Sequence, residues 1–350
     1  FTRHDETKFP MQVFDKNGVY LPQFDLWLDP HSAKNSAFVS HAHADHMKKH
    51  ARVFATPATC DMMRARGATK SKFHHLPWRE PMNWGRASVA FYPAGHVLGS
   101  AQMLVECDGT RLLYSGDFKM RDSFSSEKSE VPRADILVME TTFGHPHYEF
   151  PDGREVIESI RHWCRAALNR GEIPVLFCYS LGKGQEILAG LCGCDFPVYV
   201  HAKHDQISRV YQNHGASFCD FRVHEPFAPL DGVLLCASQC RRSKWWHDLE
   251  NSHRLRTAYI SGWALNSPAH RFGCDAAFAL SDHAGYGDLL EYVRQSGAQK
   301  VWTTHGFAEE FARDLRERGI EAAPLHQAAK LARQTEKAAQ LCFDWNASNC

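Results

Sequence analysis

Short apolar runs alternate with segments of helical spacing along most of the chain, which is typical of an α/β protein. Up to about residue 145 the apolar runs are mostly strand-like. The Asp108-Gly109 pair between two of them predicts a hairpin turn. Strands are expected at residues 19–21, 24–28, 37–40, 53–56, 88–92, 103–107, 112–115 and 136–139, with one helix at about 57–66.

The pattern changes twice further along the chain. From about 146 to 277 it predicts a small open α/β sheet, with helices at 154–169, 184–191 and 205–213 and strands at 174–178, 198–200, 233–236 and 258–261. The pattern of the first segment then returns, with strands at 277–280 and 301–303 and helices at 287–296, 307–318 and about 327–340. We therefore expect one domain from residues 1–145 and 278–350, interrupted by a smaller domain at 146–277.

The composition indicates a folded protein with a sizeable core. Of 350 residues, 44% are hydrophobic and 23% are charged, which excludes a disordered or fibrous chain. Basic and acidic residues number 40 each, so a globally basic coat for nucleic acid is excluded, although a local basic patch is not. There is no apolar run of the ~18 residues that a membrane span needs, and no export signal. We expect a cytoplasmic protein without membrane contact, whose cysteines are reduced.

The unusual number in the composition is 22 histidines, and four potential metal ligands stand within six positions. They are His41, His43, Asp45 and His46, directly after the apolar strand at 37–40. Imidazole and carboxylate together suit Zn²⁺, Mn²⁺ or Fe²⁺. His41 and His43 alternate and can face one point, while Asp45 and His46 turn toward a second. The spacing thus offers two ligands to each of two adjacent metals.

Five more residues of metal-binding or proton-transfer type follow predicted strands. Each stands at or just after the end of a different strand. They are His96, Asp117, Glu140, His283 and His305. Any one of them could be a satisfied buried polar group, but α/β folds place their sites at strand ends. Five at the ends of different strands therefore predict an active site.

These ligand motifs resemble those of the metallo-β-lactamase fold, and Glu140 and His283 on either side of an insertion resemble its β-CASP nuclease branch. Longer strings are similar to those of bacterial DNA ligase-associated exonucleases. They are PAGHVLGSAQ at 93–102, SGDFK at 115–119, LGKGQ at 181–185, SGW at 261–263 and LSDHA at 280–284. The resemblance covers nearly the whole chain. It implies an αββα sandwich carrying an inserted smaller α/β domain.

The resemblance also implies a role for each site residue. The first metal would be bound by His41, His43 and His96, the second by Asp45, His46 and His305, with Asp117 bridging the two. Asp29 would orient ligand residues from behind. The catalytic residues would be Asp45, Glu140 and His283, with His283 protonating the leaving 3′ oxygen and Glu140 holding it in the charged form. The cofactors would be two divalent ions, Zn²⁺ or Mn²⁺.

The function implied is a two-metal phosphodiesterase acting on DNA, namely an exonuclease of bacterial repair that leaves 5′-phosphate and 3′-hydroxyl ends. Single-stranded DNA ends are the expected substrate, with a functional link to a DNA ligase and a helicase. An RNA-processing β-CASP nuclease is the alternative within the same branch. A small-molecule thioesterase or lactonase would lack the insertion and the Glu140–His283 pair. A catalytically inactive scaffold would have lost ligands, and here every ligand position is filled.

Two weaker motifs could contact substrate. Arg241, Arg242 and Lys244 are interleaved with tryptophans, which suits backbone contact and base stacking, or else an ordinary helix start with Trp packed inward. Ser180 and Lys183 precede a helix and could hold a phosphate at its N-terminus, or form an ordinary strand-to-helix turn.

Overall fold

The computed structural model describes residues 11–225 and 228–330, and this part of the chain forms three β-sheets. The first sheet is continuous in sequence, with strands in the order β1 to β6, antiparallel as far as β3 and parallel beyond it. Its strands are β1 (Phe14–Asp15), β2 (Val19–Leu21), β3 (Leu26–Leu28), β4 (Ser36–Phe38), β5 (Arg52–Ala55) and β6 (Lys72–His75). Helix α1 (Pro57–Ala65) follows β5 and begins where the Thr56 hydroxyl accepts a hydrogen bond from the Thr59 amide.

The second sheet begins as an antiparallel meander and continues with a parallel strand. Its first strands are β7 (Met82–Trp84), β8 (Ala87–Pro93), β9 (Ala101–Cys107), β10 (Thr110–Tyr114) and β11 (Ile136–Glu140). The hairpin predicted at Asp108-Gly109 joins β9 to β10, and both residues have positive φ, as a tight hairpin turn requires.

The chain then leaves this sheet and builds a third one, in which all strand pairs are parallel. The strand order is β14-β13-β15-β12-β16-β17. The strands are β12 (Ile173–Phe177), β13 (Val198–Val200), β14 (Phe221–Val223), β15 (Val233–Cys236), β16 (Leu255–Ile260) and β17 (Ala276–Phe278). Helix α2 (Gly153–Leu168) precedes them, and α3 (Lys183–Gly190), α4 (Ala202–Asn213) and α5 (Lys244–Ser252) lie between them. A parallel sheet needs such crossover helices.

After the third sheet the chain returns to the second. The last elements are α6 (Tyr286–Ser296), β18 (Lys300–Thr304), α7 (Ala308–Glu317) and β19 (Glu321–Pro324). Strand β18 inserts beside β11, with Glu140 opposite Thr304, so residues far apart in sequence reach the same sheet end. The predicted C-terminal helix at 327–340 lies mostly outside the described residues, as do residues 1–10 and 331–350 of the predicted first domain.

The hydrophobic cores follow from these layers. One core contains Leu28 and Phe38 of the first sheet together with Phe91, Met103 and Val138 of the second, so these two sheets pack face to face. On the outer face of the second sheet, apolar residues pack against α6 and α7, and on the outer face of the first they pack against α1 and α4. The predicted α/β class is confirmed.

The strand predicted at 277–280 as the start of the returning pattern is instead β17, which pairs with β16 in the third sheet. The other differences lie mainly at short edge strands. β6, β7, β14 and β19 were not predicted, because three or four residues at a sheet edge carry little alternation. No helix in the described part of the chain is long and apolar enough to cross a bilayer.

Candidate metal centre

Four side chains from three loops converge on one point at the end of the facing sheets. They are His41, His43, His96 and Asp117, and their donor atoms lie within 4.8 Å of one another. His41 Nε2 lies 3.0 Å from His43 Nδ1 and 3.6 Å from Asp117 Oδ2, and His96 Nε2 lies 3.1 Å from His43 Nδ1. Tetrahedral Zn²⁺ with bonds of about 2.0–2.2 Å has ligand atoms roughly 3.3–3.5 Å apart. The spacing therefore fits one bound metal ion.

The tautomers of two of these histidines strengthen that conclusion. His43 Nε2 donates to the Leu181 carbonyl at 3.1 Å, and His96 Nδ1 donates to the Asp282 carbonyl at 2.8 Å. A carbonyl only accepts, so in the neutral rings His43 Nδ1 and His96 Nε2 both carry lone pairs, and these face each other. Such lone pairs repel unless a cation lies between them. The donor set thus fits a divalent ion that prefers imidazole.

A second group shares Asp117 with the first. It consists of His46, Asp117 and His305, and His46 Nε2 lies 3.4 Å from Asp117 Oδ2. Asp45 was predicted to belong here, but its side chain is 75% exposed and its Oδ2 lies 3.8 Å from His46 Nε2. Asp45 therefore lies next to this group, but its carboxylate does not belong to it. Two adjacent groups with a common carboxylate can hold two cations side by side.

Asp29 lies behind the second group, buried under the sheets. Its Oδ2 is 2.9 Å from His46 Nδ1 and accepts a hydrogen bond from the Tyr114 hydroxyl at 2.9 Å, while Oδ1 accepts from the Ser40 amide at 2.8 Å. The carboxylate is therefore fixed on three sides, and it turns Nε2 of His46 toward Asp117. This is the contact that an orienting residue makes.

The backbone is bent sharply where His305 enters the site. His305 has φ +59°, in the left-handed region, and Gly306 follows with φ +53°. A Cβ on Gly306 would meet the Thr141 carbonyl oxygen and Thr142 Cα, each at 2.5 Å. Only glycine allows this close approach, and the Thr141 hydroxyl accordingly reaches the His305 carbonyl at 2.7 Å. The short string Thr-His-Gly is thus what brings His305 to the metal groups.

Beside the metal groups lies a buried carboxylate–imidazole pair. Glu140 Oε1 is 2.8 Å from His283 Nδ1 and accepts from the Phe118 amide at 2.9 Å, and Oε2 accepts from the Thr142 amide at 3.2 Å. Burial would lower the pKa of His283, but the carboxylates of Glu140, Asp117 and Asp282 together outweigh it and raise that pKa to about 10. The pair also lies within 4.8 Å of Asp117 through its donor atoms. His283 can therefore present a protonated Nε2 at the edge of the site.

The ligand histidines fall into two electrostatic classes. Burial lowers the pKa of His41, His43 and His96, in the last case to about 3, so these imidazoles are neutral and ready to bind metal. For His46 burial acts the same way, but the carboxylates of Asp117 and Asp29 overcome it and raise its pKa well above the usual range. These two carboxylates thus draw positive charge to His46, whether a proton or a metal ion.

Comparisons with known proteins identify relatives of this chain. No protein-family model matches the chain. It is 42% identical over 316 residues to a probable DNA ligase of Opitutus terrae, covering 89% of this chain and 31% of that protein. It is 25% identical over 355 residues to the RNase aCSPSF2 of Saccharolobus solfataricus, covering 81% and 71%. The RNase aCSPSF2 and the relatives named RNase J-like protein and cleavage and polyadenylation specificity factor 73 are β-CASP proteins of the metallo-β-lactamase fold. The chain belongs to the metallo-β-lactamase β-CASP family.

A solved structure shares the fold of this β-CASP protein. It is a protein of unknown function from Enterococcus faecalis, with a TM-score of 0.54, 14% sequence identity and coverage of 79% of this chain and 76% of that one. Among the curated relatives, the chain spans less than a third of the Opitutus protein's length.

The predicted substrate contacts of the β-CASP protein lie in different surroundings. Lys183 is only 1% exposed, with its Nζ 3.2 Å from Asp282 Oδ1, and Ser180 is half-buried in the loop before it. Arg241 donates to the Phe272 and Gly273 carbonyls and covers the Phe177 ring. Arg242 is exposed, and Lys244 pairs with Asp248 at 2.7 Å in the first turn of α5. The structure brings none of these five into the ligand groups of its described residues.

Sequence reasoning missed several residues that shape the centre. Asp282 lies within 4.8 Å of the His96 and His283 donor atoms, and its position next to His283 could have drawn attention to it. The Leu181 carbonyl and the Tyr114 hydroxyl act through tertiary contacts that no local spacing reveals.

Proposed function

We propose that this protein is a two-metal phosphodiesterase that cleaves nucleic acid. The observation that carries the proposal is Asp117, shared by two adjacent ligand groups, with the Glu140–His283 pair at their edge. His41, His43, His96 and Asp117 would hold the first ion, and His46, Asp117, His305 and, by a turn of its exposed side chain, Asp45 the second. When bound, Zn²⁺ or Mn²⁺ ions supply Lewis-acid activation of water and neutralise charge on the phosphoryl oxygens.

The protein's own residues then handle the proton and the orientation. Asp29 and the carbonyls of Leu181 and Asp282 keep the ligand imidazoles in fixed tautomers. His283, held by Glu140 through Nδ1, would donate from Nε2 to the departing 3′ oxygen. The products would be a 5′-phosphate and a 3′-hydroxyl. Asp45, exposed at the mouth, is the third proposed catalytic residue.

Exposed aromatic rings beside the centre support a substrate that carries bases. Tyr179 is 55% exposed and Trp263 is 43% exposed, and both follow strands of the third sheet. The centroid of the Trp263 ring lies 4.8 Å from that of the Phe143 ring, and the Phe143 centroid lies 5.9 Å from that of the His283 ring. Bases stack on such rings with little regard to sequence. A small-molecule (thio)ester hydrolase has no use for them, so that alternative is disfavoured.

Within nucleic acids we favour DNA, and specifically exonuclease action on single-stranded ends during bacterial repair. The support is the resemblance of the sequence strings and the Opitutus relative, whose name is probable DNA ligase. A DNA ligase and a helicase are the proposed functional partners, and the cytoplasm is the proposed location. The second candidate is RNA processing, which the relative named RNase aCSPSF2 favours.

We also propose the domain division that the sequence predicts, with residues 1–145 and 278–350 as the metallo-β-lactamase domain and 146–277 as the β-CASP insertion. Support comes from the third sheet, whose strands lie within residues 173–278, so that only the last residue of β17 falls beyond the proposed boundary. The cores on both faces of the first two sheets support the αββα layering of the larger domain.

The test is digestion of end-labelled DNA and RNA oligonucleotides of the same sequence, with Zn²⁺ or Mn²⁺ added and Asp117→Ala as the inactive control. The proposal expects stepwise shortening of single-stranded DNA, faster than that of RNA and faster than that of a blunt duplex. Preferred cleavage of RNA would replace DNA by the second candidate. Turnover of a thioester with neither polymer cleaved would refute the nuclease proposal.

A further inference from the structure

Four charged side chains, three of them buried, form a chain that runs from the second sheet through α3 to the loop at the metal centre. Lys119 Nζ is 2.5 Å from Glu186 Oε1, Glu186 Oε2 is 3.7 Å from Lys183 Nζ, and Lys183 Nζ is 3.2 Å from Asp282 Oδ1. Lys119, Glu186 and Lys183 are 6%, 2% and 1% exposed. Lys183 and Glu186 belong to α3, while Asp282 precedes His283. The ammonium of Lys183 thus ties the helix to the loop at the metal centre.

Two backbone carbonyls at or near the Lys183–Asp282 ion pair orient the candidate metal ligands. Leu181, two residues before Lys183, accepts from His43 Nε2, and the Asp282 carbonyl accepts from His96 Nδ1. The loop that contains Leu181 and Gly182, just before α3, packs very closely against Val97 of the larger domain. A Cβ on Gly182, whose φ is +87°, would meet Val97 Cγ1 at 2.4 Å. Any loosening of Lys183 would therefore move the partners of both ligands.

Stability alone gives a poor reason for burying these charges. Removing an ammonium and a carboxylate from water is costly, and apolar residues of similar volume often stabilise a protein as well or better. Asp282 has a further property, since its carboxylate lies within 4.8 Å of the His96 and His283 donor atoms. Left unpaired, it could turn into the metal centre as a foreign ligand. Lys183 Nζ holds Oδ1 of that carboxylate, the oxygen that lies 4.0 Å from His283 Nε2.

We propose that Lys183 is a positioning residue for the first metal group. By holding the Asp282 carboxylate, it keeps the Asp282 and Leu181 carbonyls where His96 and His43 donate to them, and so keeps both imidazoles in the metal-binding tautomer. This role differs from phosphate contact, which a lysine with 1% exposure cannot make. The inference rests on the metal groups of the proposed function and is independent of the nucleic-acid substrate.

The test measures Co²⁺ binding without any substrate, because the visible absorption of Co²⁺ reports its coordination. A His305→Ala background weakens the second group and leaves the first intact. In it, Lys183→Met/Asp282→Asn removes both charges and keeps side-chain volume, so that no buried charge is left unpaired. Loss of orienting partners typically weakens metal binding 10- to 100-fold. We expect a loss of that size for the first group, with an altered Co²⁺ spectrum and unchanged far-ultraviolet circular dichroism.

Two controls make the result specific. Arg121→Met removes another ion pair, with Asp288, that reaches no metal ligand, and it should leave Co²⁺ affinity unchanged. In a His43→Ala background, which reports the second group, the Lys183→Met/Asp282→Asn pair should have little effect. Wild-type affinity and spectrum in the His305→Ala background would overturn the positioning role. An absence of Co²⁺ binding in the unsubstituted His305→Ala chain would instead contradict the metal centre itself, and with it this inference.

Discussion

Replacing Glu140 by Gln should slow turnover by roughly 10- to 100-fold without removing metal. The carboxylate makes three contacts, with His283 Nδ1 and the Phe118 amide on Oε1 and the Thr142 amide on Oε2. An amide has one acceptor oxygen, so at least one contact is lost in either orientation. A hydrogen bond to a charged group contributes roughly 1.5–3 kcal/mol, and about 1.36 kcal/mol corresponds to a factor of ten in rate.

His283→Ala should cost more, on the order of 10²- to 10⁴-fold, the range of a lost general acid. If Glu140 acts only through His283, the double variant should be no slower than His283→Ala alone, since residues that act as a unit are not additive. Because Glu140 raises the pKa of His283, Glu140→Gln should also move the alkaline limb of the rate profile to lower pH.

The assay is single-turnover cleavage of an end-labelled single strand at saturating enzyme, with metal content measured on the same samples. Glu155→Gln on the exposed side of α2 is the matched control and should behave as wild type. A substrate whose 3′ bridging oxygen is replaced by sulfur needs little protonation and should rescue His283→Ala. Fully additive losses together with no rescue would remove His283 from the acid role.

Three further outcomes follow from the structure. Asp117→Asn should deplete both metals, since Asp117 belongs to both groups, and metal analysis that finds one site still full would contradict the sharing. Trp263→Ala should raise KM roughly tenfold with kcat unchanged. With a substrate that has an abasic nucleotide at the stacked position, KM should be the same for the variant and the wild type. A roughly tenfold difference in KM that persists on the abasic substrate would refute stacking. Burial lowers the pKa of the His204 imidazole to about 3. Below pH 6.5 this imidazole therefore binds a proton in the unfolded chain but not in the folded one, and the free energy of unfolding falls by about 2 kcal/mol between pH 7 and pH 5. In chemical denaturation, the free energy of unfolding of His204→Gln should fall by about 2 kcal/mol less than that of the wild type over this pH range. An equal fall in both proteins would contradict this prediction.

The sequence predicted those residues of the centre that stand close together along the chain or directly after an apolar strand. His41, His43 and His46 stand close together after a buried strand, and the strand ends that carry His96, Asp117 and His305 are set by apolar runs of ordinary length. The change in pattern from about residue 146 likewise marked the segment whose strands form the third sheet. Since strand ends of one sheet edge meet in space, convergence of these residues followed without a structure.

What the sequence did not reveal depends on contacts between distant segments. Lys183 was predicted to precede a helix and to contact phosphate, but it is the first residue of α3 and its ammonium is buried beside Asp282. Asp45 has the spacing of a ligand, but the turn after His43 leaves its side chain exposed. The orienting carbonyl of Leu181 is 138 residues from His43, a separation that no motif spans.

The central claim is that two metal ions share Asp117, and anomalous diffraction from crystals grown with Zn²⁺ or Mn²⁺ tests it most directly. The account predicts two anomalous peaks about 3.5–4 Å apart. One should lie among His41, His43, His96 and Asp117, and the other among His46, Asp117 and His305. A single peak in fully active crystals, or a second peak bound by Asp282 and His283 in place of His46 and His305, would contradict it.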